Sequence, residues 1–173
     1  MHIIHAGSIT LEPQTALHAE EMFAVLSDLR IYQFENQPPA SVQSLRARFA
    51  ALESRMSSDG REQWLNWVIR LATGELIGFV QATVYPDSRA AIAYILSSRY
   101  WGRGLARRAV DAMITELVRH YRVRRLTAVL KHSNLRSLRL LECLEFSPPP
   151  PGNHLANQIE ADEILMWREI ERA

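Results

Sequence analysis

One stretch of the chain, residues 90–121, limits the possible folds more than any other. It begins with an apolar, strand-like run over residues 91–96, passes through a loop with two glycines and ends in a long helical pattern. The helix is predicted by apolar side chains that recur at the 3.6-residue period. These are Val110, Met113, Ile114, Leu117, Val118 and Tyr121. Because residues 126–130 form another apolar run, the stretch predicts a βαβ unit whose two strands lie parallel.

The loop between this strand and this helix predicts a phosphate site. Gly102 and Gly104 have no Cβ, so the backbone there can adopt a positive φ and approach a ligand closely. A helix that opens directly after such a loop presents unpaired N–H groups at the positive end of its dipole, where phosphate binds well. Arginine side chains add positive charge around the loop, namely Arg99, Arg103, Arg107 and Arg108.

Two familiar phosphate loops do not fit these residues. A P-loop requires the pattern GxxxxGK[ST], which the chain lacks. A Rossmann fingerprint requires a third small residue where this chain has Arg107, and an acidic residue about twenty positions further on. The next strand instead ends in Leu130, Lys131 and His132, without a carboxylate.

A third kind of loop matches better. Residues 101–106, WGRGLA, resemble the pyrophosphate loop of the GNAT N-acetyltransferases, usually written Q/R-x-x-G-x-G/A. Trp101 replaces the leading Gln or Arg of that pattern, but the string Tyr-Trp-Gly-x-Gly-x-Ala at residues 100–106 resembles this loop in the branch that acetylates the N-termini of ribosomal proteins (RimJ/RimL type). Residues 126–146 resemble the same family's strand-then-helix segment, with Glu145 where the family usually has glycine. The residues in register there are Asn134, Ser137, Leu140, Leu141, Glu142 and Phe146.

The resemblance spans residues 11–168 and includes a hairpin-like segment at residues 73–78. It implies an α/β (α+β) fold: a mixed, mostly antiparallel central sheet of about six to seven strands flanked by helices. No linker, repeat or shift in composition divides residues 1–173, so one domain is expected.

Local patterns predict the remaining elements in outline. We expect one strand over residues 3–11, followed by a helix that starts at Glu12 and Pro13. Ser41 can cap a second helix whose apolar residues continue to Met56. Further elements are a hairpin over residues 64–85, a helix capped by Ser133 or Asn134, and a last strand over residues 163–170.

The resemblance implies acetyl-CoA as the co-substrate and assigns residues to it. The loop residues Gly102, Arg103, Gly104, Leu105, Ala106 and Arg107 would hold the pyrophosphate. The extended pantetheine arm would pair with the strand edge at Tyr94, Ile95 and Leu96, as a peptide does in β-augmentation. Asn134 would hydrogen-bond the arm from the other side, and a backbone N–H near Leu96 would polarise the thioester carbonyl.

The catalytic residues follow less directly. Many family members protonate the departing thiolate with a tyrosine, which falls here on Leu141. Ser137, one turn earlier, matches the serine that replaces it in the ribosomal branch; the alternative is a hydroxyl bonded to its own i−4 carbonyl. The family's strand glutamate is also missing, and Glu35 is our candidate general base, with a solvated loop carboxylate as the alternative.

Composition excludes several other functions. Twenty basic and 19 acidic residues give a net charge of +1, so general nucleic-acid binding is not expected. Cys143 is the single cysteine, which excludes a disulfide framework. No apolar run is long enough for a membrane span, so we expect a cytoplasmic protein. His2 and His5 have no third ligand at metal spacing, and no metal site is predicted.

We therefore expect transfer of an acetyl group from acetyl-CoA to a primary amine, on a small molecule or a peptide N-terminus, by direct attack in a ternary complex. The missing tyrosine and glutamate leave a non-catalytic acyl-CoA-binding module as the alternative. An arginine-rich nucleic-acid binder is a second rival, because Arg119, Arg122, Arg124 and Arg125 cluster after the long helix. The acceptor, and whether the chain forms a homodimer, stay open.

Overall fold

The computed structural model describes residues 1–34, 37–151, 155 and 159–170. In this part of the chain seven strands form one sheet in the order of the sequence. The strands are β1 (Ile4–Ala6), β2 (Ile9–Pro13), β3 (Gln63–Leu71), β4 (Leu76–Val84), β5 (Arg89–Leu96), β6 (Arg125–Lys131) and β7 (Glu163–Glu169). The α-helices are α1 (Ala19–Leu26), α2 (Val42–Leu52), α3 (Leu105–Tyr121) and α4 (Leu135–Cys143). Short 3₁₀ turns lie at Ala16–His18, Leu29–Tyr32 and Ser98–Tyr100.

Strands β5 and β6 create the opening on which the site depends. Every neighbouring pair in the sheet is antiparallel except this one, which is parallel as the βαβ pattern predicts. The parallel pairing covers only residues 89–91 against residues 125–127. Beyond it, β5 stays paired with β4 as far as Leu96, and β6 stays paired with β7 as far as Lys131. The sheet therefore splits into two halves that diverge between β5 and β6.

Helices cover both faces of the sheet. The predicted stripe on α3 is buried against one face, where Trp67 of β3 is fully buried, and α4 contributes Leu141 to the same cluster. Helices α1 and α2 pack Met22 and Phe49 against the other face, next to Val68. The neighbours Trp67 and Val68 face opposite layers because side chains alternate along a strand. The predicted fold class is confirmed.

Three predicted boundaries were wrong. Residues 3–11 form a hairpin of two strands, because Gly7 adopts a left-handed φ of 63° and reverses the chain. Pro13 ends β2 rather than starting a helix, and α1 begins only at Ala19. Helix α2 begins after the Ser41 cap as predicted but ends at Leu52, while Met56 pairs with Gln63 in an isolated β-bridge.

The turn after α4 keeps its geometry without glycine. Asn134 is the N-cap of α4, and its side chain accepts from the Ser137 N–H at 3.1 Å. Glu145, where the family usually has glycine, adopts a left-handed φ of 64°. Its carboxylate accepts a hydrogen bond from Arg168 at 2.8 Å. A glutamate in this conformation costs about 1–2 kcal/mol relative to the ordinary helical one, and the ion pair offsets part of that.

Among the described residues, no helix combines the length and the apolar character that a membrane crossing requires.

Candidate active site

The glycine loop has the backbone geometry that a phosphate site requires. Gly102 and Gly104 have φ angles of 74° and 72°, and no heavy atom lies within 4 Å of the position that a Cβ would take at either residue. Gly104 directly precedes α3 in a left-handed conformation. The N–H of Arg108 donates to the Gly104 carbonyl at 3.1 Å, which begins the helical ladder. The N–H groups of residues 105–107 lie ahead of that ladder, where helices bind anions.

Trp101 ties this loop to the end of β5. Its indole N–H donates to the Leu96 carbonyl at 2.9 Å. The Arg136 guanidinium from α4 lies over its ring, 3.5 Å from the centroid, in cation–π geometry. A tryptophan at this position therefore anchors the loop to both β5 and α4. The Leu96 carbonyl is engaged by the indole rather than free at the strand edge.

Three of the four arginines near the loop point in different directions. Arg107 faces the cavity in front of the loop. Arg103 instead lies over the Tyr100 ring, 5.3 Å from its centroid. Arg108 turns to the opposite side and donates to the Ser8 hydroxyl at 2.8 Å. The sequence thus overestimates the charge that the loop itself directs at a phosphate.

A cavity of about 440 Å³, which we call the loop cavity, brings together the predicted co-substrate residues. All of them except Arg103 line it: Tyr94, Ile95, Leu96, Gly102, Gly104, Leu105, Ala106, Arg107, Asn134 and Ser137. Three further cations line the same cavity, Arg30, Arg136 and Arg139. Sequence reasoning missed these three because they lie outside the glycine motif, Arg30 in the 3₁₀ turn Leu29–Tyr32 and Arg136 and Arg139 on α4.

A pair of hydroxyl groups lies in the lining of the loop cavity. The Tyr94 hydroxyl from β5 is 2.6 Å from the Ser137 hydroxyl on α4 and 3.3 Å from the Ser137 carbonyl oxygen. Burial raises the pKa of Tyr94 to about 12, partly opposed by the Ser137 hydrogen bond, so the phenol stays protonated at neutral pH. Ser137 therefore bonds across the cleft, whereas the sequence alone allowed a bond to its own helix. From the sequence, Tyr94 was predicted to contact the co-substrate only through its backbone, as part of the strand edge.

A second cavity, of about 290 Å³, opens on the other side of this pair, and we call it the α2-side cavity. It shares six residues with the loop cavity: Ile31, Phe34, Tyr94, Ile95, Asn134 and Ser137. Arg48 of α2 is the charged side chain among its described lining residues, beside the polar Gln37 and Gln81. The candidate base Glu35 lies outside the described residues.

Asp28 links the 3₁₀ turn Leu29–Tyr32 to the turn that follows β5. It caps the 3₁₀ turn Leu29–Tyr32, and its carboxylate also accepts the Ser98 N–H at 3.0 Å. Burial alone would raise the pKa of Asp28, but hydrogen bonds from Ser98 and Arg30 outweigh it and lower the pKa to about 2. The carboxylate is therefore ionised at neutral pH and holds the segment that carries Ile31 against the end of β5.

Comparisons with known proteins agree with this geometry. A family model described as an acetyltransferase (GNAT) domain matches residues 8–147. The uncharacterized N-acetyltransferase p20 of Bacillus licheniformis is 24% identical over 148 residues, which cover 84% of this chain and 83% of that protein.

Solved structures show the same fold. RimL, a ribosomal L7/L12 alpha-N-protein acetyltransferase in complex with coenzyme A, superimposes with a TM-score of 0.81 at 18% identity, with 98% of each chain covered. The ribosomal-protein-S5-alanine acetyltransferase of Vibrio fischeri superimposes with a TM-score of 0.80 at 19% sequence identity, with 98% of this chain and 97% of that chain covered. The microcin C7 self-immunity acetyltransferase MccE, in complex with acetyl-CoA and AMP, superimposes with a TM-score of 0.76 at 17% sequence identity, with 95% of this chain and 93% of that chain covered.

The family model spans residues 8–147, which include all the described residues that line the two cavities. The structure gives that stretch the fold of these relatives and a cavity in front of its glycine loop. The chain belongs to the GNAT family of acetyltransferases.

Proposed function

We propose that the chain acetylates the α-amino group at the N-terminus of a peptide or protein, by direct attack of the amine on acetyl-CoA in a ternary complex. One observation carries the proposal: the loop cavity and the α2-side cavity meet at Tyr94, Ile95, Asn134 and Ser137, where β5 and β6 diverge. Two substrates entering from opposite sides would bring the amine and the thioester together at this junction.

The loop cavity suits the donor. N–H groups at the start of α3 would hydrogen-bond the pyrophosphate, with Arg107 and the other cavity arginines compensating its charge. The pantetheine arm would then extend along β5 at Tyr94 and Ile95, in the gap where β6 no longer pairs. This path directs the thioester toward Ser137.

The junction favours direct transfer over an acyl-enzyme. Cys143 lines the loop cavity but is not among the residues that the two cavities share. The Ser137 hydroxyl bonds to a protonated tyrosine rather than to a base, so it is not activated as a nucleophile. In direct attack the new C–N bond forms, the C–S bond breaks, the amine nitrogen gives up a proton to a base and the thiolate takes up a proton. We assign the donation to the thiolate to Ser137, and the base role to Glu35 as a hypothesis.

A peptide acceptor is supported by the α2-side cavity and by the relatives. RimL and the S5-alanine enzyme are named for acetylation of ribosomal proteins, and both share this fold over nearly their whole length. The α2-side cavity is lined largely by uncharged side chains, which suits a neutral amine. We also propose a cytoplasmic location, since a single cysteine fits a reducing compartment.

An acceptor panel with acetyl-CoA and a thiol-release assay tests the proposal. Matched peptides would carry a free N-terminus, an acetylated N-terminus, or an acetylated N-terminus with an internal lysine. We expect thiol release with the free N-terminus alone. Turnover with small amines but with no peptide would overturn the acceptor class and leave the acetyltransferase assignment intact. Binding of acetyl-CoA without thiol release for any amine would support the non-catalytic module instead.

A further inference from the structure

Three ligating side chains meet on α3, outside both cavities. Glu116 and His120 lie one turn apart on this helix, and His2 lies just before β1, which packs against it. None of the three lines the loop cavity or the α2-side cavity. Along the sequence His2 has no partner at metal spacing, but folding places two ligands beside it.

The distances suit one small cation. The Nδ1 atom of His2 is 2.9 Å from Oε1 of Glu116, and Nε2 of His120 is 3.6 Å from Oε2 of the same carboxylate. The ligand atoms of all three residues lie within 4.8 Å of one another. Zinc bonds of about 2.1 Å in a tetrahedron separate neighbouring ligand atoms by about 3.4 Å. A modest approach of the two imidazoles would therefore complete three corners of the tetrahedron.

The charge at this cluster also favours a cation. Glu116 is only 7% exposed, and a buried carboxylate is costly unless its charge is compensated. Its partners among the described residues are the two imidazoles, with no lysine or arginine. A neutral imidazole can donate one hydrogen bond but supplies no charge. A divalent ion would supply both the charge and the bonds.

Two of the ligands are held in place before any ion binds. The His2 carbonyl accepts a hydrogen bond at 3.0 Å from the indole N–H of Trp67, a fully buried core residue. His120 follows Glu116 by four residues, the spacing that puts two side chains on one helix face. Both imidazoles remain more than half exposed, so an ion can enter and keep a water ligand.

We propose that His2, Glu116 and His120 bind Zn²⁺, with water as the fourth ligand. Two imidazoles and one carboxylate suit zinc and its transition-metal neighbours, whereas Mg²⁺ and Ca²⁺ prefer oxygen ligands. The ion is structural: it joins the segment before β1 to the middle of α3, and it takes no part in acetyl transfer.

The test uses the untagged, chelator-treated chain. Co²⁺ replaces Zn²⁺ as a visible probe, and its absorption reports tetrahedral coordination, while calorimetry with Zn²⁺ gives affinity and stoichiometry. We expect one ion per chain, a higher melting temperature with Zn²⁺, and no effect of Mg²⁺. Glu116→Gln and His120→Asn should each weaken binding at least about tenfold.

His5→Asn is the matched control, because His5 lies in the same segment and contacts Thr10 rather than the cluster. It should bind Zn²⁺ like the unmodified chain. The half-exposed His120 can be replaced with little risk to folding, so the test holds even if Glu116→Gln fails to fold. Undiminished binding in His120→Asn, an equal loss in His5→Asn, or no stoichiometric binding at all would overturn the proposal.

Discussion

Gly104→Ala is the most direct test of the glycine loop. No heavy atom lies within 4 Å of the added methyl group, so the stability cost arises from the φ of 72° alone. A non-glycine residue in this conformation costs about 1–2 kcal/mol. The methyl group would also stand before the N–H groups of residues 105–107, where we place the pyrophosphate. Loss of one hydrogen bond to a charged group, about 1.5–3 kcal/mol, would weaken acetyl-CoA binding about 10- to 150-fold.

Gly60→Ala separates these two effects. Gly60 has the same φ of 72°, lies between α2 and β3, and has only the Met56 sulfur near its Cβ position, at 3.9 Å. It should therefore lose similar stability and bind acetyl-CoA normally. Calorimetry with acetyl-CoA and with CoA, beside thermal unfolding of both variants, measures each quantity. A folded Gly104→Ala variant with unchanged affinity for both ligands would refute the placement of the pyrophosphate.

Three further outcomes are expected. Arg107→Ala should weaken the binding of CoA and of acetyl-CoA equally, and the effect should be smaller at high salt. Arg103→Ala should weaken binding less, because Arg103 lies over a tyrosine ring instead of lining the loop cavity. A loss of affinity confined to acetyl-CoA in binding assays would contradict this. Arg48→Glu should shift the preference of the enzyme from peptides with an acidic second residue toward peptides with a basic one, since Arg48 is the charged group in the described lining of the α2-side cavity. The measurement is kcat/KM for peptides that differ only at the second residue. A Tyr94 pKa of about 12 keeps the phenol protonated, so Tyr94→Phe should leave the shape of the kcat–pH profile unchanged to about pH 10.

The parts of the fold that the sequence predicted are those with a long, regular pattern. The stripe on α3 repeats over several turns, and its central residues Val110, Met113 and Leu117 are fully buried. The N-terminal hairpin was missed because its strands have only three and five residues, too short for a period to separate them from one strand. Its only marker was Gly7, whose positive φ reverses the chain.

The site divides in the same way. The glycine loop is contiguous in sequence, so its geometry could be predicted from Gly102 and Gly104. The bond between Tyr94 and Ser137 joins residues 43 positions apart, and it depends on how α4 packs over β5. No local pattern predicts such a contact. The family resemblance predicted Ser137 as the residue that replaces a tyrosine on α4. The structure places the hydroxyl of another tyrosine, Tyr94 of β5, beside it.

The direction of that hydrogen bond decides whether Ser137 can protonate the thiolate. If Tyr94 donates to the Ser137 hydroxyl oxygen, at 2.6 Å, the serine proton is free for the sulfur. If Tyr94 donates to the Ser137 carbonyl, at 3.3 Å, it must accept the serine proton, which is then turned away from the substrate. Both arrangements contain the 2.6 Å contact, and donation of a proton to the thiolate requires the first one, in which the two hydroxyls act as one unit.

Single-turnover kinetics on a double-mutant cycle tests this arrangement. Ser137→Ala should lower the rate on the order of 10²-fold at unchanged acetyl-CoA affinity, because the lost interaction strengthens only as the C–S bond breaks. Tyr94→Phe should lower it less, since the serine stays but loses the donor that orients it. The double variant should be no slower than Ser137→Ala, because Tyr94 acts through the serine. If the rate losses of the two single variants multiply in the double variant, Tyr94 and Ser137 have independent roles. A fully active Ser137→Ala variant would assign the proton to water and leave the pair a structural contact between β5 and α4.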